Sequence, residues 1–213
     1  MLVTSIILTY KRSKNIPKIV EALKRQTVEN DIIIWDNGNE LDYIQDVTLI
    51  KSSRNFVCRP RFLLCGLVQS DYIFNIDDDH IPTDNKLLEM LIDESKLNND
   101  AYFIGWKATM DYNREPKADG KGADLVNTGV SFFPTRLSNS LYMNPYKNDF
   151  MEMTEEEYKY ADDHWVSKQM PLKKTSLVLD SCVGKLNDFG IGLSRNSFKH
   201  IRTRNIITKR YFK

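Results

Sequence analysis

Cysteine is scarce in this sequence. Cys58, Cys65 and Cys182 are the only three, an odd number with no C-x-x-C pair. That supports neither a disulfide framework nor a zinc site. Long apolar runs are missing as well. The longest, Phe62 to Val68, has seven residues, against the roughly 20 needed to span a bilayer. The chain enters a strand-like segment almost at once, so no secretory leader is expected and the cytoplasm is the expected location. No internal repeat or low-complexity stretch occurs. Neither charge dominates: 30 basic and 29 acidic residues leave a net +1, so bulk charge demands neither nucleic acid nor membrane. What is present is ordinary globular material. The 213 residues are 41% hydrophobic and 11% aromatic, enough for one α/β domain with a proper core.

The first hundred residues alternate strand-like and helix-like segments. Leu2 to Leu8 reads as a buried strand. Asn15 to Gln26 carries Ile16, Ile19, Val20 and Leu23 at helical spacing, with Ser13 as the expected N-cap. Ile32 to Trp35 and Val47 to Lys51 read as further strands, Arg61 to Val68 as a helix and Tyr72 to Ile76 as a fourth strand. Lys86 to Asn98 is again helical in pattern. Continuous apolar strands in a β-α-β-α series predict a mostly parallel sheet covered on both faces. Further along, Ala101 to Thr109 and Leu125 to Phe133 read as strands, Asp111 to Asp124 as an exposed loop, and Glu155 to Gln169 as a helix with an acidic start. The last stretch, Phe189 to Lys213, holds seven Lys or Arg and no Asp or Glu. The rest of the chain therefore carries an acidic excess.

Asp77-Asp78-Asp79 follows the apolar strand Tyr72 to Ile76 directly. Side chains alternate along extended backbone, so Asp77 and Asp79 can point the same way. Two close carboxylates repel, and a divalent ion removes that cost. Hard oxygen ligands suit Mg²⁺ or Mn²⁺. The bland reading is a solvated acidic turn, but ligands of open parallel sheets bind at the carboxyl ends of strands. His80 is a further ligand or a turn histidine. Thr9, Tyr10 and Arg12 follow the first strand, Asp36 and Asn37 the second, Asn55 the third, and Arg61 opens the next helix. Arg pairs with phosphate through its fork, and Asn and Asp suit ribose or base edges. Together these residues sketch a nucleoside-diphosphate site. Asp162 and Asp163 form a second acidic pair, suited to deprotonating an acceptor hydroxyl or stabilising a cationic centre, or else simply a charged helix face. Asn127, Thr128 and Gly129 are small and polar, which lets a ligand approach the backbone.

These residues resemble a glycosyltransferase of the GT-A fold, a Rossmann-like mixed sheet. The nearest likeness is to the exostosin-type family (glycosyltransferase family 64), with the broader family 2 behind it. Ser5 to Arg12 is similar to that family's first-strand signature, and Ile32 to Asn39 to its Trp-Asn-Asn strand end, with Asp36 for the first Asn. Arg61-Phe62 resembles an Asn-Arg-Phe element, Ile76 to Pro82 a metal-binding Asp triplet, Leu125 to Phe133 a Thr-Gly-Ala-Ala-Phe-Phe element, and Tyr160 to Met170 a Glu-Asp element with Asp162 for Glu. The likeness runs from about residue 3 to 175. It implies metal-dependent transfer of a sugar from a nucleotide sugar, most often a UDP-sugar, to an acceptor. Asp77 and Asp79 would hold Mn²⁺ or Mg²⁺, and Asp78 would face the ribose or sugar. Thr9, Arg12, Asn37, Asn55 and Arg61 would hold the nucleotide, Asn127 to Gly129 would lie on the acceptor side, and Asp163 would be the catalytic carboxylate. Family 64 retains anomeric configuration and family 2 inverts it. An Arg of the family's C-terminal segment reaches the donor, and Arg202 is its expected counterpart. The expected organisation is a catalytic domain over 1–180, split near residue 100 into nucleotide and acceptor halves, with a basic segment over 181–213 packed on the site.

Two rivals stand beside this reading. A nucleotidyltransferase shares such a sheet, but its Gly-rich phosphate loop after strand one is missing here. A non-catalytic glycan- or nucleotide-binding module would bind without turnover. The basic tail has its own alternatives: a face for a polyanionic acceptor such as nucleic acid or an anionic polymer, a peripheral membrane helix, or a helix closing over the donor diphosphate.

Overall fold

The N-terminal strand β1, Val3–Thr9, is mostly β-branched and buried on both faces, which suits a central position in a sheet. The computed structural model describes residues 1–99, 102–106, 125–137, 154, 157, 159–160, 162–169, 173–177, 179, 181–190 and 197–211. The loop expected over Asp111 to Asp124 lies outside them. In chain order, β1 is followed by α1 (Ile16–Lys24), β2 (Asn30–Asp36), β3 (Thr48–Lys51), α2 (Arg59–Leu64), β4 (Tyr72–Asp77), β5 (His80–Pro82) and α3 (Leu87–Leu97). Then come β6 (Tyr102–Trp106), β7 (Val130–Pro134), α4 (Asp162–Gln169), β8 (Lys173–Leu177), β9 (Val183–Lys185) and α5 (Ser197–Tyr211).

The main sheet has seven strands in the order β3-β2-β1-β4-β7-β6-β8. β1, β2, β3 and β4 pair in parallel. β7 runs antiparallel to both β4 and β6, and β8 is parallel to β6. One reversed strand thus sits among six that share a direction, the mostly parallel sheet expected. β5 and β9 form a separate antiparallel pair. One core fills the face under α1 and α3 and draws in Leu179, Cys182 and Val183 from the C-terminal part. The other face is filled by Phe62, Leu64 and Cys65 of the α2 region and Val166 of α4. Helices therefore cover both sides.

Five expectations need correction. Ser13 does not cap α1. Ser13 to Asn15 form a 3₁₀ turn, and the Ser13 hydroxyl donates to Glu40 at 3.2 Å. The predicted helix over Arg61 to Val68 starts earlier, with Pro60 in its first turn, and tightens to a 3₁₀ turn from Cys65 to Leu67. The strand expected over Leu125 to Phe133 begins only at Val130. Its leading half is a turn because Asn127 Oδ1 takes the Gly129 N–H at 2.8 Å and Asp163 takes that of Thr128 at 2.8 Å. Of the helix expected over Glu155 to Gln169, Glu157 is helical, Lys159 and Tyr160 form a turn, α4 begins at Asp162, and residues 155, 156, 158 and 161 lie outside the described ones. Thr154 and Glu157 bond reciprocally, N–H to side chain, at 2.8 and 3.2 Å, the capping box of a helix start. β8 and β9 had no clear pattern in the sequence. His80 opens a strand rather than sitting in a turn.

Candidate active site

β1, β2 and β4 stop together: Thr9 lies beside Asp36, and Leu8 beside Asp77. Their carboxyl ends form one edge. Because β7 runs the other way, the turn that precedes it, Asn127 to Gly129, arrives at the same edge. The Asp77 amide donates to the Gly129 carbonyl at 2.7 Å. Gly129 has to lack a side chain there, since a Cβ would sit 2.5 Å from Asp77 Oδ2.

Asp77, Asp79 and His80 each offer a ligand atom within 4.8 Å of the others. Two carboxylates and an imidazole are an O/N set that fits Mn²⁺, and the carboxylates alone suit Mg²⁺. Asp78 is turned inward and only 4% exposed. It accepts the Tyr10 amide at 3.0 Å and the Arg12 guanidinium at 2.5 Å. Arg12 also lies 3.6 Å from Asp79 and donates through Nε to the Asp188 carbonyl at 3.1 Å. Arg61, 3% exposed, pairs with Asp77 and donates to the Thr128 carbonyl at 2.6 Å. Burial raises the Asp78 pKa against the opposing pull of Arg12. Burial also acts to raise that of Asp79, but His80 and Arg12 outweigh it and the net shift is downward. Arg12 is desolvated too, yet the three aspartates raise its pKa and keep it charged.

The strand-end residues divide into groups that face the edge and groups that build its walls. Thr9 is buried and its hydroxyl has no hydrogen bond among the described residues. Asp36 spends both oxygens on the Gly38 and Leu41 amides, at 3.0 and 2.8 Å. Asn37 bonds the Val57 carbonyl at 2.8 Å and the Phe56 amide at 2.9 Å. Exposed Asn55 accepts the Val57 amide at 2.7 Å. Asp36, Asn37 and Asn55 thus shape the loops that follow β2 and β3. Tyr10 has the Lys11 ammonium 5.2 Å from its ring centre.

At the other end of the edge, Asp163 is 8% exposed. Its Oδ1 accepts the Thr128 N–H at 2.8 Å and hydroxyl at 2.7 Å, and its Oδ2 is paired with Arg204. Burial acts to raise its pKa. The Arg204 charge and the Thr128 bonds prevail, holding it at about 2. Asp162 is the first residue of α4. Arg202 is exposed on the outside of α5. It is Arg204, two residues on, that reaches the acidic pair. α5 is further fixed by Thr208 against His164 at 2.9 Å, Arg210 against Glu157 at 3.2 Å, and fully buried Ile207.

Arg204, Asn15 and Asp188 escaped the sequence reading. Asn15 looked like an ordinary helix start, but its amide bridges the Asp78 and Asn187 carbonyls, at 2.8 Å each. For Arg204, the family resemblance points to Arg202, two residues earlier. Ile201 and Ile206 face solvent at 47% and 41% exposure, and Ile207 alone of the three points inward.

No curated protein matches the chain in sequence. Solved structures do match in shape. The S. aureus TarS fragment 1–349 superposes with a TM-score of 0.60 at 14% identity, covering 97% of this chain and 65% of that one. The same fragment in complex with UDP gives the same values. The mannosyltransferase PcManGT from Pyrobaculum calidifontis, in complex with GDP-Man and Mn²⁺, gives 0.67 at 11% identity, covering 99% and 65%. The chain thus spans slightly less than two thirds of the TarS fragment and of PcManGT, and the likeness establishes the GT-A fold. In sequence, the profile described as Glycosyl transferase family 2 matches residues 4–140, well over half the chain. Of the two families that the motifs resemble, the broader one is shown, and the chain belongs to glycosyl transferase family 2.

Proposed function

We propose that this chain transfers a sugar from a nucleoside-diphosphate sugar to an acceptor hydroxyl, with a divalent cation held by Asp77, Asp79 and His80. The observation that carries the reading is that cluster itself, placed at the carboxyl edge of the sheet between two largely buried arginines. When bound, Mn²⁺ or Mg²⁺ would neutralise charge on the leaving diphosphate. Arg12 and Arg61 keep the aspartate side chains oriented and add positive potential where that charge develops. Thr9 lines the nucleotide side. The acceptor lies toward Asn127 to Gly129, and its proton passes to the Asp162–Asp163 pair, with inversion as family 2 membership implies. For Asp163 to take that proton its bond to Arg204 has to open, because both its oxygens accept hydrogen bonds.

UDP and GDP are the nucleotides to try first, since the similar structures hold UDP in one case and GDP-Man with Mn²⁺ in the other. UDP is the expected one. A ligand at 100 times its Kd adds about 2.7 kcal/mol of stability. Thermal unfolding with each nucleotide, with Mn²⁺ and with EDTA, is expected to show a metal-dependent rise that Asp79→Ala abolishes. No rise with any nucleotide would remove the donor site. A rise with no product from any nucleotide sugar would favour a binding module.

A further inference from the structure

The cation-binding cluster and the last helix are far apart in sequence, yet an unbroken line of hydrogen bonds joins them. Arg204 of α5 pairs with Asp163 Oδ2. Asp163 Oδ1 accepts both the amide and the hydroxyl of Thr128. The Thr128 carbonyl accepts Arg61 Nη1 at 2.6 Å, and Arg61 Nη2 pairs with Asp77. The Asp77 amide closes the line on Gly129 at 2.7 Å.

Resting on the donor-site reading above, we infer that Arg204 is a positioning residue for the cation and donor site, acting through Asp163, Thr128 and Arg61 on Asp77. Thr128 is completely buried, so its amide and carbonyl must find partners inside the protein. Asp163 serves the amide and Arg61 the carbonyl. Without Arg204, Asp163 becomes a buried charge lacking its counter-ion, which is strongly unfavourable. It relaxes by rotating toward water or by taking up a proton. Either change weakens its hold on the Thr128 amide and releases the turn. The turn has no slack, because Gly129 already lies against Asp77 as closely as a missing Cβ allows. Arg61 and Asp77 therefore shift with it. Arg210 is the internal comparison. It lies on the same helix and, among the described residues, pairs with Glu157, which is not a member of the line.

The test is calorimetric titration of Mn²⁺ with UDP, and with GDP, into wild type, Arg204→Gln, Arg204→Lys, Arg210→Gln and Asp79→Ala. Arg204→Gln is expected to weaken metal–nucleotide binding by about 2- to 30-fold. Arg204→Lys restores part of the loss, and Arg210→Gln stays at the wild-type value. In turnover, donor KM rises for Arg204→Gln, and kcat changes as well, because Arg204 holds the carboxylate proposed to take the acceptor's proton. Hydrogen exchange supplies a ligand-free measurement: the Thr128 and Asp77 amides exchange faster in Arg204→Gln and unchanged in Arg210→Gln. Wild-type affinity and unchanged exchange in Arg204→Gln would overturn the inference, as would equal losses in both helix variants, which would mean only that α5 is loosened. If wild type binds no metal–nucleotide, or Asp79→Ala binds as well as wild type, the donor-site reading fails and takes this one with it.

Discussion

Gly129 shows how a single hydrogen atom in place of a side chain sets the geometry of the edge. Its missing Cβ leaves the volume that one Asp77 oxygen occupies. Gly129→Ala forces that carboxylate aside, an overpacking cost of about 1–3 kcal/mol. β7 starts one residue later and pairs along its length with β4, so the sheet is retained. The expected outcome is a near-normal far-UV spectrum with Mn²⁺–nucleotide affinity down by roughly ten- to a hundredfold. Titration of the variant, read beside its melting temperature, checks this. Wild-type affinity would mean that Asp77 has room to move. At this scale the acidic triplet was legible, because three aspartates after an apolar strand are rare and chemically loaded. Their division of labour was legible only in part. Alternation along a strand gave Asp77 and Asp79 a common side, but the inward turn of Asp78 depends on Arg12 and the Tyr10 amide, contacts that no local pattern encodes.

Among the elements, α5 differs most from what its sequence suggested. Its cations were open to a polyanion face, a membrane helix or a helix closing over the donor; Arg204 turns inward onto Asp163, while exposed Arg210 pairs with Glu157. Arg202 and Lys209 remain exposed, and steep loss of acceptor affinity with salt would be the sign that they meet a polyanion. The Asp163 pair also makes a pH prediction. An unfolded aspartate titrates near about 3.9, whereas folding holds Asp163 at about 2. Its contribution is therefore complete above the unfolded value and drains away as pH falls toward the folded one. Wild-type stability should drop more steeply between about pH 4 and pH 2 than that of Asp163→Asn, with denaturant melts at each pH as the measurement. Parallel slopes would mean that the pair contributes nothing. The first four strands and three helices were legible because their apolar spacing is strong. β8, β9 and the turn at Lys159 and Tyr160 before α4 were not, because short strands and a brief interruption leave no period to read.

For the whole molecule, the segment beyond residue 180, expected to pack on the site, is woven into the body rather than hung from it as a tail. Leu179, Cys182 and Val183 belong to the same core as Val3, Ile7 and Ile16. β9 pairs with β5 directly after the acidic triplet, and Asn187 and Asp188 accept hydrogen bonds from Asn15 and Arg12. Truncation after residue 180 opens that core, where each lost large apolar side chain typically costs about 2–5 kcal/mol. Against a usual total of about 5–15 kcal/mol, the shortened chain should lose its cooperative thermal transition, as followed by circular dichroism. A shortened chain that melts as sharply as the full one would restore the appended-tail picture.

The weave has a consequence for the order of events during synthesis. Domains usually take shape from the N-terminus as the chain emerges, at about 5–20 residues per second. Here the strand that carries the acidic triplet emerges early, but its hydrophobic underside and the clasp around Asp163 wait for residues 179–183 and for α5. A ribosome has to reach α5 before the edge of the sheet is complete, and a nascent fragment stopping short of it carries the chemistry's residues without the arrangement that makes them a site.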